Sequence, residues 1–257
     1  MAGQAPKPRS ELQLVQLVPN LITISAMCAG LTGIRFAING QFQAAVALIL
    51  VAAVLDGLDG RIARLLRSES EIGAELDSLV DFVNFGVAPG LVMYMWGVHQ
   101  LQSGGWIATL VYAACCLLRL ARFNIGNRLG QDKTGAEKPT AAGFTGVPSP
   151  AGAMLAMLPA YVAFMDPTAP RLPPALLGVY MVLIGGLMIS RFPTPSFKSV
   201  TFYAEYARYV IVGFVGLIAA LLTFPWETMV VISLGYVGIL LVALWQSRKS
   251  RRPSGGA

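Results

Sequence analysis

Asp56, Asp59, Asp77 and Asp81 are four of only thirteen acidic residues in 257, and all four stand at the ends of apolar stretches. Ionisable groups at membrane depth are expensive and usually functional. Asp56 and Asp59 are three apart, and Asp77 and Asp81 four apart, so on a helix each pair shares one face. The link Arg67-Ser68-Glu69-Ser70 between the two stretches is short and polar. It predicts antiparallel neighbouring helices whose carboxylate faces meet. Four carboxylates at close range repel and need cations to stay ionised together. Oxygen-only ligands suit hard divalent ions, which points to Mg²⁺ or Mn²⁺ in a di-metal site. The plainer alternative is salt bridging to Arg61, Arg64 and Arg67. Gly57, Gly60, Ala63 and Gly73 would let a flat ligand approach the backbone, or would simply pack helices tightly. Arg64 lies one turn beyond Gly60, where it can clamp a phosphate.

The elements that must hold these groups are membrane helices. Hydrophobic residues make up 55% of the chain and charged residues 12%, against roughly 25% charged in soluble proteins. Mean hydropathy is +0.64. A spanning helix needs about 20 apolar residues, and eight stretches qualify: 19–38, 41–64, 74–98, 105–126, 147–166, 173–191, 206–224 and 227–247. The fold expected is all-α, a polytopic membrane bundle. The first stretch is not expected to be a cleaved signal peptide, because it lacks a small-x-small cleavage site. Leu12 to Val18 ahead of it form either a helix on the membrane surface or an extension of the first span.

Cys28, Cys115 and Cys116 lie in apolar runs and offer neither a disulfide framework nor zinc spacing. The single histidine, His99, excludes a multi-histidine site and is expected at the outer interface. Trp96, Trp106, Trp226 and Trp245 sit near span ends, as an aromatic belt would. With the N-terminus placed in the cytoplasm, only Arg35 and Arg171 of the nineteen Lys and Arg residues fall outside. That asymmetry satisfies the positive-inside rule with both termini and the acidic cluster cytoplasmic. The net charge of +6 therefore reads as topology and contact with anionic membrane lipids, not nucleic-acid binding.

The run Asp56-Gly57-Leu58-Asp59-Gly60-Arg61-Ile62-Ala63-Arg64, followed at fixed spacing by Gly73, Asp77 and Asp81, resembles the signature of the CDP-alcohol phosphotransferases. All eight fixed positions of that signature are present. Further segments resemble the bacterial phosphatidylserine synthase branch: Pro19 to Thr23, Asn84 to Pro89, Leu118 to Asn124, Phe144 to Pro150, and Arg191-Phe192-Pro193 with Lys198. Asn84 stands where that branch has serine. The resemblance covers about residues 15–200.

It implies a six-span core over 19–200, preceded by a cytoplasmic or interfacial segment 1–18. Two added spans over 201–247 and a basic cytoplasmic tail 248–257 follow. It also implies a divalent-metal site on Asp56, Asp59, Asp77 and Asp81, a homodimer, and a bacterial inner-membrane location. The reaction implied displaces CMP from CDP-diacylglycerol with the hydroxyl of L-serine. Asp81 is the expected general base. Gly60, Ala63, Arg64, Gly73 and Thr23 are expected around CDP-diacylglycerol, with Asn20 capping the first span.

Serine needs partners for a carboxylate and an ammonium. Arg119 and Arg122, three apart at the inner end of the fourth span, suit the carboxylate, with Lys138 and Arg191 as further cations. Asn124 and Asn84 are candidates to orient the ammonium or the ribose. Positive-inside anchoring explains each of these cations equally well. Glycerol 3-phosphate, inositol phosphate or choline as acceptor would use the same metal ligands. A cation transporter is disfavoured, because the acids cluster at one face and no repeated pair of broken helices is evident. A non-catalytic scaffold that keeps the metal site for folding stays open.

Overall fold

The computed structural model describes residues 14–66, 68, 70–131, 146–166, 168, 170–190 and 207–250. Among them every regular element is helical. α1 (Leu14–Ile38), α2 (Phe42–Leu65), α3 (Glu71–Asp81), a π-helical turn (Phe82–Val87) and α4 (Ala88–Trp96) come first. A 3₁₀ turn (Val98–Leu101), α5 (Ser103–Gln131), α6 (Ser149–Ala156), α7 (Leu158–Met165), α8 (Pro174–Ile189), α9 (Ala207–Thr223) and α10 (Pro225–Ser250) follow. Each of the eight expected spans has its counterpart. The third is the α3–π–α4 run, and the fifth is α6 and α7 joined at Met157. Among the described residues, five helical runs are long and apolar enough to cross a membrane, with α8 and much of α9 shorter apolar helices.

Helix starts follow local chemistry. Ser70 caps α3, its hydroxyl accepting from the Gly73 N–H at 3.0 Å. Pro150, Pro174 and Pro225 occupy first-turn positions of α6, α8 and α10, where a missing N–H costs nothing. One open alternative is decided here and one expectation corrected. Leu14 to Val18 continue α1 without a break, so that part of the N-terminal segment extends the first span. Asn20 lies well inside α1 and caps nothing. Its amide oxygen faces Gly73 instead.

The core is built by close helix approach. α1 packs most extensively on α2, and α5 on α8. A Cβ on Gly33 would sit 2.9 Å from the Ala45 carbonyl, and one on Gly185 would sit 3.2 Å from the Cys115 side chain. In lipid such intimate contacts replace the hydrophobic drive that operates in water. Phe85, Met93, Tyr112, Met157 and Met188 lie at the centre. Trp96 belongs to this core as well, 7% exposed, so it is not part of an interfacial belt. Trp106 and Trp245 are exposed, while Trp226 stacks on Tyr161 and meets Phe164 edge to face. His99 is exposed at the turn after α4, its Nδ1 at 3.1 Å from the Tyr94 carbonyl. All three thiols are free. α9 packs on α10 and leaves most of its apolar surface exposed, the pattern of a helix facing lipid.

Candidate active site

Asp56 and Asp59 lie in the second half of α2, and Asp77 and Asp81 near the end of α3. The two helices are not closely packed there. α3 leans on α1, whereas α2 meets the third span deeper, at the π turn and α4. The four carboxyl groups therefore line a groove between α2 and α3 instead of a sealed seam.

Asp59 is 3% exposed. Its Oδ2 accepts from the Thr23 hydroxyl at 2.6 Å, and its Oδ1 accepts from the Gly60 N–H at 2.5 Å. Thr23 is itself buried and also lies 3.0 Å from the Pro19 carbonyl, so α1 supplies the support for this carboxylate. Asp56 and Asp81 face each other across the groove. One oxygen of each, Oδ1 in both cases, is buried and reached by no hydrogen-bond donor. Asp77 lies within electrostatic range of Asp56 and Asp59. Arg61 and Arg64 point outward and are exposed, and neither satisfies these oxygens.

The donor set fits a hard divalent cation. It is oxygen only, it comes from two helices, and it presents two buried acceptors with no proton donor. Among the described residues no three such groups are already drawn into a coordination shell. The fit rests on donor type and on the orphaned oxygens.

The glycines divide by surroundings. A Cβ on Gly57 or Gly60 would meet nothing within 4 Å, whereas one on Gly73 would sit 3.0 Å from Asn20 and Ser70. Gly57 and Gly60 thus face open space, and Gly73 is a packing glycine. Ala63 is half-buried on α2, and Arg64 follows it, exposed, in the last turn of that helix.

The candidates for the acceptor side separate further. Arg119 is half-buried, donates to the Ser149 hydroxyl and lies within electrostatic range of Asp81. Asn124 donates to Ser78 at 2.5 Å, and Ser78 sits between Asp77 and Asp81 in sequence. Arg122 goes elsewhere. It is exposed and donates to the Ile189 carbonyl at 2.9 Å, a cation on the C-terminal end of α8. Arg119 and Arg122, both candidates for the acceptor carboxylate, thus reach different partners. Asn84 is wholly buried in the π turn with both amide atoms unpartnered. It presses on Gly30 so closely that no side chain would fit there. Lys138 and Arg191 lie outside the described residues.

Three participants escaped the sequence reading. Ser149, fully buried, is the partner of Arg119. It lies at the start of the expected fifth span, in the Phe144 to Pro150 segment that resembles the synthase branch, with no individual role given to it. Ser78 carried no signal beyond its position between two aspartates. Tyr112 donates to the Phe85 carbonyl at 2.8 Å and so satisfies an acceptor in the π turn. Such turns often stand at functional sites, but nothing in the local sequence announces one.

With this geometry in place, similarity to known proteins can be weighed. A family model described as CDP-alcohol phosphatidyltransferase matches residues 16–189. A Mycobacterium leprae protein named CDP-diacylglycerol–serine O-phosphatidyltransferase is 38% identical over 94% of this chain and 79% of its own length. A Helicobacter pylori protein of the same name is 37% identical over 72% of this chain and 74% of its own length. One from Bacillus subtilis is 32% identical over 70% of this chain and 91% of its own length. A Mycobacterium tuberculosis relative with that name is 47% identical, but over 58% of this chain and half of its own length.

Proposed function

The chain belongs to the CDP-alcohol phosphatidyltransferase family, and we propose that it makes phosphatidylserine and CMP from CDP-diacylglycerol and L-serine. The observation that carries the reading is the open groove between α2 and α3. There, Asp56 and Asp81 each bury one oxygen without a donor, and Arg119, suited to an acceptor carboxylate, lies within electrostatic range of Asp81. The names of the relatives support serine as the acceptor.

Asp56, Asp59 and Asp77 would hold Mg²⁺ or Mn²⁺ against the pyrophosphate. Bound there, the cations neutralise charge building on phosphorus and on departing CMP. Gly57 and Gly60 leave the face of α2 bare, so the nucleotide head can approach the backbone while the acyl chains stay in lipid. Arg64 supplies a cation at the cytoplasmic end. Arg119, steadied by Ser149, takes the serine carboxylate. Asp81 accepts the proton of the serine hydroxyl as its oxygen bonds to the β-phosphorus. The bond from that phosphorus to the CMP oxygen breaks, and CMP leaves with the electron pair. The proposal places the enzyme in the bacterial cytoplasmic membrane as a homodimer, with the groove on the cytoplasmic side.

The test is CMP release by purified protein. Release should require both CDP-diacylglycerol and serine, and glycerol 3-phosphate, inositol phosphate or choline should not replace serine. Exhaustive chelation should abolish release, and Mg²⁺ or Mn²⁺ should restore it. Full activity after chelation would remove the metal from the scheme. Release with a different alcohol would retain the family chemistry and discard serine.

Orientation has a separate check. A reporter fused after Ala257 should read cytoplasmic, and one inserted near Thr168 should read outside. Opposite sides for the two termini would mean that an odd number of segments crosses the membrane.

A further inference from the structure

The family match ends at residue 189, yet the last helix reaches the acceptor side of the groove. α10 packs on α6 and α7. Its inward face carries Met229 and Ser233, 4% and 3% exposed, with Tyr236 one turn further on. α6 begins at Ser149, the residue that holds Arg119. Tyr236 stands within electrostatic range of Arg119, as Asp81 and Cys116 do. Its hydroxyl is buried and has no partner.

A buried hydroxyl without a partner is costly, and such groups in native proteins call for an explanation. A ligand that enters the working site would provide the partner. The guanidinium of Arg119 offers five N–H donors, and Ser149 takes one direction. The Tyr236 O–H adds a neutral donor near the same cation. A cation with a neutral donor close by suits an anion with two oxygens. The pyrophosphate belongs with the carboxylates of α2 and α3, which leaves the acceptor's carboxylate for this corner. Asp81 nearby would repel that carboxylate, so a second donor beside Arg119 has a definite use.

We propose that Tyr236, on a helix beyond the family core, is an acceptor-specificity residue whose hydroxyl donates to the carboxylate that Arg119 binds. This rests on the serine reading above. The experiment measures CMP release by full-length protein in lipid nanodiscs, varying serine and CDP-diacylglycerol separately. Tyr236→Phe removes only the hydroxyl. It should raise the KM for L-serine by about tenfold or more, the scale for a hydrogen bond to a charged group. The KM for CDP-diacylglycerol and kcat should hold within about twofold, as for loss of a binding contact to one substrate. Tyr161→Phe, which removes another orphaned buried hydroxyl, should change none of these.

A second readout compares L-serine with L-serine methyl ester on the same sample, so any loss of folded protein cancels. The preference for the free carboxylate should shrink in Tyr236→Phe. An unchanged serine KM, an equal rise in both KM values, or an unchanged acid-to-ester preference would overturn the inference. So would Tyr161→Phe matching Tyr236→Phe. If Arg119→Gln raises the serine KM and Tyr236→Phe does not, the serine reading stands and this inference fails. If unaltered protein shows no serine-dependent release, both fail.

Discussion

Asp81→Asn is expected to slow turnover by about 10²–10⁴-fold, the usual worth of a positioned general base, with little change in CDP-diacylglycerol binding. The substitution keeps the shape of the side chain and leaves an amide oxygen for a weak cation contact, but the amide cannot take the serine proton. The surroundings of Asp81 suit a base. It lies at the end of α3, where the helix passes into the π turn. One of its oxygens is buried with no donor, so a lone pair is not already committed. Arg119 stands near it and is tied to Ser149, which in the proposed reaction would set the acceptor's carboxylate end beside the proton acceptor. The measurement is a single-turnover rate together with lipid-nucleotide affinity. Asp56 faces the same carboxyl across the groove, which makes the competing outcome definite. If Asp81→Asn loses affinity as severely as a ligand variant, Asp81 chiefly holds cations and the proton goes elsewhere.

Asp59→Asn should damage both steps. Asp59 has the least solvent-exposed surface of the four aspartates, and its two oxygens already accept from Thr23 and from the Gly60 N–H. Those bonds aim the carboxylate without neutralising it, the office of an outer partner to a metal ligand. Asparagine fits the space but removes the charge and turns an amide N–H₂ toward one of the two donors. Turnover should fall by more than about 10²-fold, beyond the 10–100-fold that loss of an outer partner alone costs. Affinity for CDP-diacylglycerol should fall with it. Thr23→Val gives the graded companion. It keeps the volume, deletes the hydroxyl and should cost about 10-fold to 100-fold in the same assay. A Thr23→Val enzyme as active as the parent would show that α1 does not orient Asp59. An Asp59→Asn enzyme with normal affinity would remove it from the cation site.

The amino-acid sequence by itself determined everything set by periodicity along one helix. Apolar runs marked where all eight expected spans have a helical counterpart, and helical geometry put Asp56 with Asp59 and Asp77 with Asp81 on shared faces. The acidic cluster could be recognised because charges at membrane depth are rare and stand out against an apolar background. What depended on contacts between helices was decided only by the tertiary structure. α2 and α3 bring Asp56 and Asp81 face to face as their spacing implies, but that α3 packs chiefly on α1 is a matter of tertiary contact. Arg119 and Arg122 share a helix face in sequence, yet one reaches Ser149 and the other the end of α8. A long flexible side chain takes whichever partner packing brings within reach. Asn20 looked like a cap and proved to be an interior contact, because α1 begins earlier than its apolar core. The π turn that buries Asn84, and the approach of Tyr236 to Arg119 from a helix more than a hundred residues away, leave no periodic mark. They arise from which helices lie side by side, and the spacing of residues along one helix does not specify its neighbours.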